Sequence, residues 1–212
     1  MSWKDYFECK IRTIYDTTYT HYEYKDKRVT ILPDKLPMPP TDTFYKMFSY
    51  CEQLQDISAI ANWNTGNIKD MSEMFYECKS LQDITALSSW DTSNVNDMSY
   101  MFGCCHQLKD ITALSNWNVS NVNDMAWMFC NCNRLKDVTA LANWNVSNVK
   151  NMRCMFSICS HLQNITSLAN WDISNVKDMS QMFYECRQLQ DVTALDNWNI
   201  SNVENTYCMF GD

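Results

Sequence analysis

The pair Met-Phe occurs seven times, at Met47-Phe48, Met74-Phe75, Met101-Phe102, Met128-Phe129, Met155-Phe156, Met182-Phe183 and Met209-Phe210, always 27 residues apart. Further columns keep the same period: Trp63 to Trp198, Cys51 to Cys186, Leu54 to Leu189 and Asn67 to Asn202. A fixed period without insertions means that each unit packs on its neighbours in one repeated way, which predicts a solenoid.

Within a unit, Val95, Met98, Met101, Phe102 and Cys105 follow the spacing of one helical face, with Asn94 as a cap and Asp97 three residues on. The segment Asp83–Ala86 is short and centred on β-branched residues, which predicts a strand. The expected fold is therefore an α/β, leucine-rich-repeat-like solenoid, with one short parallel strand and one helix in each 27-residue repeat. Strands stack at about 4.8 Å and helices at about 8–10 Å, so such a stack would curve with its sheet inside.

Residues 1–40 do not repeat. They hold Trp3, Tyr6, Phe7, Tyr15, Tyr19, Tyr22 and Tyr24, and the four prolines lie between Pro33 and Pro40. This segment is expected to cap a solenoid formed by residues 41–212, about six repeats with the last incomplete.

The pattern S-N-V-x-D-M-x-x-M-F-x-x-C-x-x-L resembles the BspA-like leucine-rich repeats, which are known from bacterial surface antigens, mycoplasma lipoproteins, some protists and large DNA viruses of amoebae. The resemblance spans about residues 41–212. It implies a leucine-rich-repeat-like fold and a role in binding or adhesion, with no catalytic residues.

Charge and composition narrow the function. A net charge of −8 argues against a nucleic-acid-binding surface, which needs a cationic face. No apolar run approaches the roughly 20 residues of a membrane span, and no secretory signal is visible at Met1–Lys10. Eleven cysteines, an odd number, read as free thiols in a reducing compartment, so a place in the cytoplasm or within a virus particle is expected. The cysteine column is expected to pack in the core, on helices too far apart for disulfides.

His21, His106 and His161 do not recur, and there is no phosphate loop, G-x-S-x-G or H-E-x-x-H. No enzyme activity, cofactor or metal is expected. The column Asp56, Asp83, Asp110, Asp137, Asn164, Asp191 stacks like charges. Bonds to loop backbone and Thr hydroxyls, with help from Lys109 and Lys136, are the expected relief.

The reading that remains is a non-catalytic scaffold that binds another protein. The alternative is a structural component of a larger assembly, such as a virion or surface layer. Specific binding belongs to positions that vary between repeats. Tyr100, Trp127 and Cys154 precede Met-Phe, and Cys130 and Ile158 lie near them, so these five form the expected partner face. Asp191, Val192, Thr193 and Ala194 are expected to form an open strand edge, through which two copies join by their C-terminal ends.

Overall fold

The computed structural model describes residues 2–14 and 17–211. Tyr15, one of the expected cap aromatics, lies outside them. The repeats form a stack of similar coils, but the expected α/β pattern does not form. Among the described residues there is no α-helix, and the one regular sheet is an antiparallel hairpin.

The reason lies in how the backbone N–H groups are used. In an α-helix every N–H bonds within its own segment. Here alternate residues bond across coils. The N–H groups of Met98, Tyr100, Phe102 and Cys104 donate to the carbonyls of Asp124, Ala126, Met128 and Cys130 at 3.0, 2.8, 2.9 and 2.7 Å. The residues between them close tight turns: Met101 to Met98, Gly103 to Tyr100 and Cys105 to Phe102.

Two residues per coil take left-handed backbone to make this possible, such as Tyr100 at φ 56° and Cys104 at φ 60°. Both columns are occupied throughout by residues other than glycine, and each such residue carries a conformational cost of about 1–2 kcal/mol. The cross-coil bonds offset that cost.

The segment expected to be a strand is also different. Asp83–Ala86 runs into a 3-10 turn at Thr85–Leu87, and the equivalent turns recur at Ser58–Ile60, Thr112–Leu114, Thr139–Leu141, Thr166–Asn170 and Thr193–Leu195. Parallel pairing falls mainly elsewhere, as single bridges linking Thr43, Asp70, Asp97, Asp124, Asn151, Asp178 and Asn205. The cross-coil ladder thus runs where a helix was expected, and the curvature expected from helix packing loses its cause.

The conserved-period columns fill the interior. Phe102, Phe129 and Phe156 are fully buried and stack ring on ring, with centroids 5.7 Å apart. Each indole of the Trp column is buried and donates to a carbonyl of an earlier coil, as from Trp117 to Leu87. The column thiols of Cys78, Cys105, Cys132, Cys159 and Cys186 donate likewise, as from Cys132 Sγ to Phe102 O at 3.2 Å. The column cysteines therefore follow the coil spacing, not the helix spacing expected for them. On the exterior, the Asn94, Asn121, Asn148, Asn175 and Asn202 amides peg each coil to a carbonyl of the one before.

At the N-terminal end, strands β1 (Phe7–Ile14) and β2 (Thr17–Tyr24) form the hairpin. Phe7 and Tyr24 are buried against Phe48, and Phe7 also meets Trp63. Arg12 holds the hairpin to the stack, with its guanidinium 3.0 Å from Asp70 and 3.7 Å from the centre of the Tyr45 ring.

Candidate functional site

The invariant residues are consumed by the stack, so the site must be sought among exposed positions that differ from coil to coil. Of the five residues expected to form a partner face, Cys130 and Cys154 are buried and present no surface. The expectation that these two thiols meet a partner is corrected by their burial, with Cys154 Sγ donating to Gln181 Oε1 of the next coil. Tyr100 and Trp127 remain half-buried and stack flat on each other, with centroids 5.4 Å apart. Ile158 is also half-buried. This aromatic pair covers the coils beneath it as much as it faces outward.

The residues expected to form an open strand edge lie in a turn. Asp191, Val192 and Thr193 are exposed and Ala194 is half-buried. Asp191 Oδ1 accepts from the Thr193 N–H at 2.9 Å, and Thr193–Leu195 is a 3-10 turn, so there is no strand edge at this place. Val192, Ile200, Tyr207 and Phe210 are the large apolar residues left exposed in this part of the stack.

A different surface stands out. The 3-10 turns line one side of the stack, and the space between and beside them forms a trough. Its largest part, about 900 Å³, lies against Ile111, Ala140 and the side chains of Lys109, Arg134, Lys136 and His161. The trough continues along Gln82–Thr85 and on to Gln55–Ser58, because neighbouring stretches share Lys109, Asp110 and Thr112, then Asp83 and Thr85.

Its chemistry follows from the repeat register. Lys109 and Lys136 are one period apart, in a column that otherwise reads Gln55, Gln82, Gln163 and Gln190. Arg134 and His161 are also one period apart, in a column with Gln53, Ser80, Gln107 and Gln188. Two substituted positions in consecutive coils thus bring four basic side chains to one place. All four are exposed.

The carboxylates beside them are exposed, and each has one oxygen engaged by loop backbone. Oδ1 of Asp110 and of Asp137 accepts from the N–H of Thr112 and Thr139, at 2.8 and 2.7 Å. Asp137 Oδ2 also accepts from the Asn164 amide. The Thr112 backbone N–H, with help from the Thr112 hydroxyl and Lys109, holds the Asp110 carboxyl below its ordinary range. The acidic column is relieved by bonds to loop backbone, at every position from Asp56 to Asp191.

A second acidic column sits at the coil bridges. Asp97 is half-buried between Asp70 and Asp124. Burial pushes its carboxyl up to about 6, against the pull of bonds from Ser99, and the two neighbouring carboxylates add to the rise. Among the described residues no group of three or more His, Cys, Asp or Glu side chains is placed to hold a metal ion. No helix among them is long and apolar enough to cross a membrane.

These features define a repeat protein whose coils are pegged together by recurring side chains. The family described as "Mycoplasma protein of unknown function, DUF285" matches residues 42–140 and again residues 107–212, and the chain belongs to that family. No curated protein and no solved structure matches the chain.

Proposed function

We propose that the protein is a non-catalytic scaffold that binds another protein through the exposed, coil-specific positions of its stack. The observation that carries this reading is the division of labour between columns. Residues repeated in every coil are spent on stacking, through the buried Phe, Trp and Cys columns and the Asn pegs. Residues that change from coil to coil, such as Lys109, Arg134, Lys136 and His161, are exposed around a trough that spans several coils. A rigid frame with variable exposed positions is how repeat proteins build binding surfaces. The resemblance of the repeat to the BspA-like leucine-rich repeats supports the same direction, towards binding or adhesion.

The cytoplasm or the interior of a virus particle is the proposed place of action. Most of the thiols are buried, and those of the central column are engaged with backbone carbonyls, an arrangement suited to a reducing compartment.

Purification from the native source tests the scaffold reading. One protein partner at fixed stoichiometry, lost when exposed trough residues are changed without a shift in Tm, supports it. Co-purification with a particle supports instead a structural component of an assembly. Recovery of the protein alone, under crosslinking, counts against both.

A further inference from the structure

We propose that the trough beside Lys109, Arg134, Lys136 and His161 docks an acidic segment of a partner protein, laid across the 3-10 turns of consecutive coils. The proposal rests on the scaffold reading above and adds the chemistry of what is bound.

The first observation is charge. The protein carries a net charge of −8, yet four basic side chains converge on one groove. Elsewhere many basic residues are paired: Lys10 with Glu8, Lys46 with Glu73, Lys69 with Asp42, Lys79 with Glu52 and Glu77, Lys177 with Glu204, and Arg187 with Glu185. Lys109, Arg134 and Lys136 take part in no ion pair among the described residues. Their nearest carboxylates, Asp110 and Asp137, already accept backbone N–H groups. The three cationic heads thus form no direct ion pair, and one oxygen of each neighbouring carboxylate is already engaged by backbone. A ligand bearing carboxylates supplies what is missing.

The second observation is the shape and the floor. Ala140 is half-buried in the lining of the groove, with Ile111 beneath it only 2% exposed, so the apolar surface open to a bound chain is centred on Ala140. The trough runs on past several coils, which suits an extended segment.

The third observation sets a limit on the occupant. Asp56 and Asp83 line the same trough beyond Lys109, where Lys is replaced by Gln55 and Gln82. A uniformly charged polymer such as a nucleic acid would be repelled there. A protein segment can place its acidic residues over the basic stretch and polar residues over the rest.

The test uses a fluorescent oligoglutamate peptide and anisotropy at low salt. Binding is expected to the intact protein, to fall with added salt, and to weaken by roughly tenfold in the double variant Arg134→Glu, Lys136→Glu. The control Arg28→Glu, Lys150→Glu removes exposed cations elsewhere and is expected to bind as the parent does. Each variant is checked by its melting curve, and Arg134→Gln, Lys136→Gln serves if charge reversal unfolds the chain. Equal weakening by both double variants, or tighter binding of a single-stranded oligonucleotide or of inorganic phosphate than of the peptide, overturns the proposal. A native partner that still binds the Arg134→Glu, Lys136→Glu protein at full strength also overturns it, and leaves the scaffold reading standing. Absence of any native partner strikes the scaffold reading itself.

Discussion

The indole Nε1 of Trp117 donates a hydrogen bond to the backbone carbonyl of Leu87, at 3.0 Å, with both residues in the core. Sequence distance between them is 30 residues, one period and three more, so the bond ties one coil to the one before. The same bond recurs from Trp90 to Ile60, Trp144 to Leu114, Trp171 to Leu141 and Trp198 to Leu168. Trp117→Phe keeps most of the apolar body but leaves the Leu87 carbonyl buried without this donor. The Leu87 carbonyl keeps the Trp90 N–H as a donor, so the expected loss is about 0.5–1.5 kcal/mol for the bond, with a remaining cavity adding to it. Urea unfolding measures it; a loss below 0.5 kcal/mol, taken as a rough threshold, would mean that the bond contributes nothing net.

The phenylalanine column gives a graded prediction. Phe129 is fully buried between Phe102 and Phe156, so Phe129→Ala is expected to cost about 3–5 kcal/mol. Phe210 stacks on Phe183 but is half exposed. Phe210→Ala is therefore expected to cost less than half as much. Equal losses in the two variants would show that stacking, and not burial, sets the contribution.

How much of this was legible in the sequence differs from column to column. The 27-residue period identifies the core positions, because a residue kept in every coil is one that every coil needs for packing. It does not identify the backbone. Met98, Met101, Phe102 and Cys105 have helical spacing, and consecutive tight turns bring the same residues to one side. The distinguishing feature is the left-handed backbone at Tyr100 and Cys104. Glycine or asparagine throughout those columns would have signalled it, but apart from Asn131 they hold side chains such as Lys46, Glu73, Tyr100 and Trp127. The trough was legible in part. Lys109 and Lys136 share a column, as do Arg134 and His161, yet only the fold shows that the two columns flank one groove.

Thiol reactivity should separate into classes. Cys9 is exposed, and Cys104 and Cys208 are half-buried. The column thiols are buried; burial pushes Cys51 and Cys186 up to about 12, and Cys105, Cys132 and Cys159 well above their ordinary value. The thiolate is the reactive form, so these groups are expected to be inert in the folded protein. A colorimetric thiol reagent should find Cys9 first, Cys104 and Cys208 next, and all 11 thiols once the chain is unfolded without reductant. A total of three or fewer after unfolding would mean that most are paired, and would contradict a reducing compartment.

Asp97 supplies the pH dependence. Its carboxyl is pushed up to about 6 by burial, with Asp70 and Asp124 on either side. Asp70 has Arg12 as a partner, and Asp124 has the Asn151 amide, at 3.0 and 3.1 Å. Asp97 has bonds from Ser99 through one oxygen, and no cation. A raised carboxyl pKa means that the folded chain holds the proton more tightly than the unfolded chain does. Ionised Asp97 therefore weakens the fold above pH 6, and the weakness fades as pH falls from about 6 towards the ordinary carboxylate value. The full difference is about 2–3 kcal/mol. Two other coils already carry the remedy in this column: the Asn151 and Asn205 amides donate to the Asp below them, Asp124 and Asp178. Asp97→Asn should do the same towards Asp70 and remove the charge. The variant is expected to be more stable than the parent at pH 8 by up to that amount, with the advantage shrinking as pH falls and nearly gone at pH 4. Chemical denaturation of both proteins across this range measures it. An advantage that stays constant with pH would assign the gain to the new amide bond alone, and a loss of stability at pH 8 would show that ionised Asp97 is well accommodated between its neighbours.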